Sequence, residues 1–143
     1  MDKLYSKEEI IEKLNSEDVF NFIKRYNIIT LIMFGSIISY DLDNEFNEES
    51  DVDLALLADK AIELDNILEI ELFFQNLLNR EIDVLDLRSE SLDFFVKISI
   101  LNYGKIIYSE DNGKSLEILY NETDRIYIEN ENFMYFRKVD VLS

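Results

Sequence analysis

The chain has 143 residues and contains neither cysteine nor histidine. Without cysteine it has no disulfide and no thiolate zinc site, which fits a cytoplasmic protein. Without histidine it lacks the commonest general base and the commonest ligand of transition metals. Any acid–base chemistry must therefore come from Asp, Glu, Lys or Tyr, and any bound metal is expected to be Mg²⁺, Mn²⁺ or Ca²⁺ held by oxygen atoms.

Proline is also absent, and glycine occurs only three times, so the sequence has no Pro- or Gly-rich linker. It shows no internal repeat, no signal peptide and no apolar run of about 18 residues or more, so we expect neither export nor a membrane-spanning helix. Hydrophobic residues make up 48% of the chain and aromatic residues 13%, enough for a sizeable core. We therefore expect a single cytoplasmic domain.

Basic residues are scarce: 14 Lys and Arg stand against 31 Asp and Glu, which gives a net charge of −17. Binding to DNA or RNA needs Lys and Arg to neutralise phosphates, so a nucleic acid is a poor candidate partner. A basic protein or a cationic small molecule fits this surface better. The acidity also has a simpler interpretation, which is that it keeps the protein soluble.

The hydrophobic pattern predicts the element order αβαβαβαβα. Ser6 and Glu9 form a capping box that begins a helical segment ending by Asn27, and a break of this segment near Asn15-Ser16 stays open. The later elements follow in chain order: a strand at 28–34, a short helical turn to about Tyr40, a strand at 51–57, a helix capped by Asp59 and reaching about Asn79, a strand at 81–87, a helix capped by Ser89 or Ser91 and ended by a left-handed Gly104, a strand at 105–108 and a turn at 111–113.

The remaining tail repeats apolar residues at intervals of seven, which favours a final helix, although the alternation at 125–129 also resembles a strand. The two repeating sets are Leu119, Ile126 and Phe133, and Tyr120, Tyr127 and Met134. The segment at 41–49 holds five acids in nine positions and is interpreted as a solvated loop. A calcium loop is the sharper alternative, but Phe46 stands where such a loop needs glycine and Val52 where it needs glutamate.

One feature suited to phosphate binding follows the apolar run at 28–34, which stops at Gly35-Ser36. The turn there is expected to open a helix, whose free N–H groups and dipole suit a phosphate. Gly35 lets a ligand approach the backbone closely, and the Ser36 hydroxyl can add a hydrogen bond.

Two carboxylates, Asp51 and Asp53, stand at the start of the next apolar run. Successive side chains of a strand point to opposite faces, so Asp51 and Asp53 should share a face with Ala55 and Leu57. Two acids side by side on a strand repel each other, so we expect them to have a raised pKa or to hold a cation.

A third carboxylate, Asp83, is expected on the strand at 81–87. Three carboxylates on neighbouring strands can hold two divalent ions about 4 Å apart, an arrangement that clamps the attacking and leaving oxygens in phosphoryl chemistry. Asp86 is an alternative to Asp83, but it lies on the opposite face of the strand.

These motifs together resemble the signature of the polymerase-β-type nucleotidyltransferases: Phe-Gly-Ser at 34–36, Ser-Asp-Val-Asp-Leu-Ala at 50–55 and Ile-Asp-Val-Leu-Asp-Leu at 82–87. The stretch at 100–108 resembles the ending of minimal nucleotidyltransferases, such as the MntA-like antitoxins of HEPN/MNT toxin–antitoxin systems. The resemblance implies an α/β (α+β) nucleotidyltransferase fold, in which a small mixed sheet is flanked by helices and followed by a C-terminal helix. It also implies one domain at 1–143, with a catalytic core at about 20–110 and a helical tail at 111–143.

The same resemblance implies an antitoxin enzyme that transfers AMP from Mg-ATP to a tyrosine of a partner HEPN ribonuclease toxin and so neutralises it. Asp51, Asp53 and Asp83 would be the catalytic residues and would ligate Mg²⁺, with two ions expected. Gly35 and Ser36 would hold the triphosphate of ATP. The partner would be a separate chain in a hetero-oligomer, with no direct contact to nucleic acid or membrane.

The sequence departs from the family pattern in two places, and two other functions remain as alternatives. Fourteen residues separate Ser36 from Asp51, against about ten in the family, and no Arg stands at 37–40 after the Gly-Ser pair. A non-catalytic antitoxin that blocks a basic partner by surface complementarity is the first alternative. An antibiotic nucleotidyltransferase is the second, although the 35 residues after Tyr108 are too few for the helical domain that completes such a drug site.

Overall fold

The computed structural model describes residues 5–35 and 52–142, with the side chains up to Glu129. The predicted turn after Ser36 and the acidic segment at 41–49 lie outside this range. The elements are α1 (Lys7–Leu14), α2 (Glu17–Lys24), β1 (Ile28–Phe34), β2 (Val52–Ala58), α3 (Leu64–Leu78), β3 (Ile82–Asp86), α4 (Phe94–Tyr103), β4 (Lys105–Ser109) and α5 (Lys114–Leu142). Among these helices, none combines the length and the apolar character that crossing a membrane requires.

The four described strands form one sheet in the order β3-β2-β1-β4. β1 is antiparallel to both β2 and β4, whereas β2 and β3 are parallel. A parallel pair needs a crossover connection, and α3 supplies it between β2 and β3. The predicted fold class, a small mixed sheet flanked by helices and followed by a C-terminal helix, is confirmed.

The two faces of the sheet carry different helices. Val52, Leu54 and Leu56 of β2 belong to a core cluster that also takes buried residues from α1, α2 and α3. Ala55 and Leu57 point the other way and belong to a second cluster with residues of α4 and α5. This alternation on β2 is the one predicted from the sequence, and it sets the face on which Asp53 lies.

The amino-terminal helical segment is divided into α1 and α2, so the break near Asn15-Ser16 is confirmed. The capping box is present, since the Glu9 N–H donates to the Ser6 hydroxyl and the Ser6 N–H donates to the Glu9 carboxylate, both at 3.2 Å. The Ser16 hydroxyl accepts from the Val19 N–H at 3.3 Å and begins α2. Each helix therefore has its own cap.

Two predicted helix caps are wrong, and the first of them is wrong because of a tertiary contact. α3 begins at Leu64 with Glu63 at its N-cap position, four positions after the predicted cap, Asp59. The chain before α3 is held to the sheet instead, since the Ile62 N–H donates to the Asp86 carboxylate at 2.8 Å.

α4 is capped by Asp93, which accepts from the N–H groups of Phe95 and Val96 at 2.9 and 3.2 Å. The predicted caps, Ser89 and Ser91, hydrogen-bond to each other instead, at 2.9 Å.

The prediction of a left-handed Gly104 at the end of α4 is also wrong. Gly104 has φ −67°, an ordinary backbone conformation. A Cβ at this position would lie 2.5 Å from the Ile32 side chain and 2.6 Å from the Ile100 carbonyl oxygen. Glycine is required here because α4 approaches β1 closely, and not because of its backbone angles.

The predicted turn at 111–113 and the final helix are confirmed. The Asp111 carboxylate accepts from the Ser115 hydroxyl at 2.6 Å, from the Ser115 N–H at 3.0 Å and from the Ser109 hydroxyl at 3.3 Å. Hydrogen bonds from Ser115, followed by the one from Ser109, hold the pKa of Asp111 below its usual range. Asp111 thereby fixes the first turn of α5.

Candidate active site

Asp53 and Asp83 lie opposite each other on the parallel strands β2 and β3. Neighbouring strands are about 4.8 Å apart, so the two carboxylates are immediate neighbours at one edge of the sheet. Asp53 shares a face with Ala55, and Asp83 shares the same face with Leu85. Asp53 is half-buried and Asp83 is exposed. The structure thus brings two of the three predicted carboxylates together, and one of them, Asp83, is open to solvent.

Gly35 completes this edge because it follows β1, whose last residue, Phe34, pairs with Asp53. Gly35 has φ +85°, a conformation that L side chains rarely adopt. A Cβ at residue 35 would collide with the Asp53 carboxylate and lie 3.0 Å from its Cγ. Glycine is therefore needed for the backbone angle and for the close approach of Asp53.

The other two predicted site residues, Ser36 and Asp51, lie outside the residues that the structure describes. Their roles in triphosphate and metal binding stay predictions. Within 5–35 and 52–142 there is no cluster of three or more Asp, Glu, His or Cys side chains that could hold a metal ion. Asp53 and Asp83 are the described members of the predicted carboxylate set.

Asp86, the sequence-based alternative to Asp83, has a structural role on the opposite face. It is 8% exposed, and its Oδ2 and Oδ1 accept from the N–H groups of Ile62 and Arg88 at 2.8 and 2.9 Å. Arg88 in turn donates through Nε to the Ala58 carbonyl. Asp86 therefore ties the end of β3 to the chain that leaves β2, away from the Asp53–Asp83 edge.

A groove of about 270 Å³ lies between α4 and α5, and we refer to it as the α4–α5 groove. Its lining residues are Phe95, Ile98, Leu101, Asn102, Tyr120, Thr123, Asp124 and Tyr127. The sequence pattern assigned Tyr120 and Tyr127 to the final helix but gave no sign of a groove, because α4 supplies its other wall. A second cavity, of about 420 Å³, adjoins Asp86 and the start of α3. Neither lining includes Asp53 or Asp83, the carboxylates of the described site.

The family assignment comes from residues 17–113, which match the family described as Polymerase beta, Nucleotidyltransferase. The chain belongs to this family of nucleotidyltransferases. The match spans all four described strands, so it includes Gly35, Asp53 and Asp83. The predicted family and enzyme class are confirmed. A search of curated protein sequences finds no significant match.

Solved structures of toxin–antitoxin pairs share the fold of this polymerase beta-type nucleotidyltransferase. A chain of the crystal structure of a toxin-antitoxin with AMP-PNP has a TM-score of 0.68 and 18% identity, covering 93% of this chain and 98% of that chain. A chain of the toxin-antitoxin MntA-HepT has a TM-score of 0.64 and 18% identity, and the match covers 92% of this chain and 99% of that chain. The complex of a tri-AMPylated Shewanella oneidensis HEPN toxin with MNT antitoxin gives a TM-score of 0.64 and 19% identity, covering 92% and 99%.

Proposed function

We propose that this nucleotidyltransferase is an antitoxin that transfers AMP from ATP to a tyrosine hydroxyl of a partner HEPN ribonuclease toxin, and that the modification silences the toxin. The observation that carries the proposal is the pairing of Asp53 with Asp83 beside Gly35. The similar structures support the choice of substrate and partner, since one contains AMP-PNP and another an AMPylated HEPN toxin.

The donor set fits magnesium. Asp53 and Asp83 are side by side and offer only oxygen, and the whole sequence has no histidine or cysteine to favour a softer metal. We assign Asp51, Asp53 and Asp83 as ligands of Mg²⁺, with two ions in the full site. When bound, Mg²⁺ neutralises charge on the phosphates of ATP and on the leaving pyrophosphate.

Each residue of the site has its own role in the transfer. Gly35 lets the triphosphate approach the backbone closely, and Ser36 donates a hydrogen bond to it. Asp83 is exposed and stands where an incoming hydroxyl can reach it, so it accepts the proton of that hydroxyl. The tyrosine oxygen forms a bond to the α-phosphorus, the bond from that phosphorus to the bridging oxygen breaks, and pyrophosphate leaves. A tyrosine hydroxyl, with a pKa of about 10, is a far better acceptor than a serine hydroxyl.

The acceptor is a protein on a separate chain. A net charge of −17 disfavours a nucleic-acid acceptor and suits a basic protein. We further propose that residues 1–143 act as one nucleotidyltransferase domain and work in the cytoplasm, where ATP and a ribonuclease toxin are both present.

The test is to incubate the purified chain with Mg-ATP and the protein encoded beside its gene, and to weigh both products. Transfer adds about 329 Da per AMP to a partner tyrosine, since the hydroxyl gains AMP less water. Asp83→Ala should lose the adduct and still bind the partner. Asp59→Asn is the matched control, because Asp59 is an exposed aspartate just beyond the other end of β2, and it should keep full transfer.

A non-catalytic antitoxin is the alternative that the same experiment separates. It predicts no adduct on the partner and full neutralisation of the partner by the Asp83→Ala protein. An adduct with the unmodified chain that is absent with Asp83→Ala contradicts the binding-only function.

A further inference from the structure

The α4–α5 groove lies on the same face of the sheet as the paired carboxylates. Its lining residue Leu101 also packs on the core cluster that contains Ala55 and Ile100. Ala55 follows Asp53 by two residues on β2, so the two side chains point to the same face. A protein held in this groove is therefore on the side of the sheet where an acceptor hydroxyl has to arrive.

The groove also exposes aromatic surface. Phe95 is 63% exposed, Tyr120 41% and Tyr127 37%, and all three line the same groove. Exposed large apolar groups that cluster in one concave place mark interaction sites, and aromatic residues dominate the binding energy of protein interfaces. This face differs from an ordinary solvated helix pair, because its aromatic rings surround a cavity and are not scattered singly.

Charge decides which kind of molecule the groove receives. The first sixteen residues of α5, at 114–129, carry four acids against two bases, and α4 adds one base, Lys97. Asp124 is the charged residue among those that line the groove. A second copy of the chain would bring another net charge of −17 to this acidic surface and would be repelled. A partner that carries Lys or Arg around an apolar side chain is attracted instead.

We propose that the α4–α5 groove is the docking surface for the acceptor protein, and that it receives an apolar or aromatic side chain flanked by basic residues. The proposal rests on the proposed function, because it takes the acceptor to be a protein. The groove supplies affinity and orientation, whereas Asp53 and Asp83 supply the chemistry. A change in the groove therefore weakens binding of the acceptor without lowering the transfer rate at saturation.

The experiment compares two double variants of the full-length chain. One is Phe95→Ser with Tyr127→Ser, which removes two aromatic rings from the groove. The matched control is Leu68→Ser with Leu72→Ser on α3, where leucines that are 53% and 58% exposed lie on the opposite side of the sheet. The probe is the protein encoded beside the gene, and both its affinity and its rate of AMP incorporation are measured. Melting temperatures check that each variant is folded.

The groove variant should bind the probe about tenfold or more weakly and should regain the normal transfer rate when the probe is saturating. The control should keep its affinity within about twofold. The proposal is overturned if the control loses affinity and the groove variant does not, if the groove variant binds normally, or if the chain forms dimers that the groove variant dissolves. If the unmodified chain binds the probe but yields no adduct, the proposed function fails, whereas the affinity comparison still decides the docking surface.

Discussion

The carboxylate of Asp53 lies directly against the backbone of Gly35. Gly35 follows Phe34, which pairs with Asp53 across β1 and β2. The Asp53 carboxylate occupies the space that a side chain at residue 35 would need. The end of β1 thus fixes the position of a carboxylate on the neighbouring strand. This contact links a turn residue to a residue that we place in the chemistry.

Gly35→Ala should therefore abolish AMP transfer, and Gly113→Ala should leave it unchanged. Both glycines have positive φ, +85° and +81°, so alanine strains either site by roughly 1–2 kcal/mol. Only the Cβ at residue 35 displaces Asp53, because nothing lies within 4 Å of a Cβ at residue 113. Urea unfolding measures the shared loss of stability, and adduct mass measures transfer. Equal transfer by the two variants would refute the role of the Gly35–Asp53 contact.

Asp51→Asn combined with Asp53→Asn should abolish transfer while the protein stays folded. Replacing two like charges that stand two positions apart in the sequence relieves their repulsion, so the melting temperature is expected to stay the same or to rise. Transfer is followed by mass and folding by a thermal melt. Undiminished transfer by the double variant would show that the metal and the nucleotide bind elsewhere.

Asp86→Ala should destabilise the fold, whereas Asp83→Ala on the same strand should not. Removing the Asp86 carboxylate leaves the N–H groups of Ile62 and Arg88 without their acceptor, which should cost roughly 2–4 kcal/mol of unfolding free energy. Asp83 is exposed, so its loss should change stability by only about 0.5 kcal/mol. Denaturant unfolding of both variants measures this contrast. A larger loss of stability at Asp83 than at Asp86 would reverse the two assignments.

The Asp111 cap should make α5 sensitive to acid. Its pKa is lower in the folded chain than the ordinary 3.8, because Ser115 and Ser109 donate hydrogen bonds to the ionised form. The stabilisation is therefore present above pH 3.8 and is lost as the pH falls through the folded pKa. Asp111→Asn should melt at a lower temperature than the unmodified chain near neutral pH, and this difference should shrink at about pH 3. A difference that is constant across this pH range would contradict the linkage.

The arrangement of the described site could be predicted because it depends on short-range rules. Strand alternation placed Asp53 on the same face of the sheet as Ala55. It also placed Asp83 and Asp86 on opposite faces of β3. Both placements are confirmed. The family match at 17–113 confirms the assignment made from the motifs. The extent of the domain stays a prediction, and so do the roles of the five site residues Gly35, Ser36, Asp51, Asp53 and Asp83.

What the sequence did not reveal depends on contacts between distant residues. Asp59 has the chemistry of a helix cap, but the Asp86 carboxylate holds Ile62 and delays the start of α3. Gly104 follows a helix as a glycine cap would, but glycine is needed there because the Ile32 side chain of β1 leaves no room for a Cβ. The α4–α5 groove needs two helices to meet, and no local pattern contains that information.

The strand order β3-β2-β1-β4 determines how much of the chain must be synthesised before the site can form. The central strands β1 and β2 come early in the chain, but β1 gains its second neighbour only when β4, which ends at Ser109, is available. Gly35, Asp53 and Asp83 come from three separate segments, so their alignment depends on pairings between residues far apart in sequence. A ribosome-bound chain that stops before β3 has no Asp83 and no site. The described site can therefore form only after most of the chain has left the ribosome.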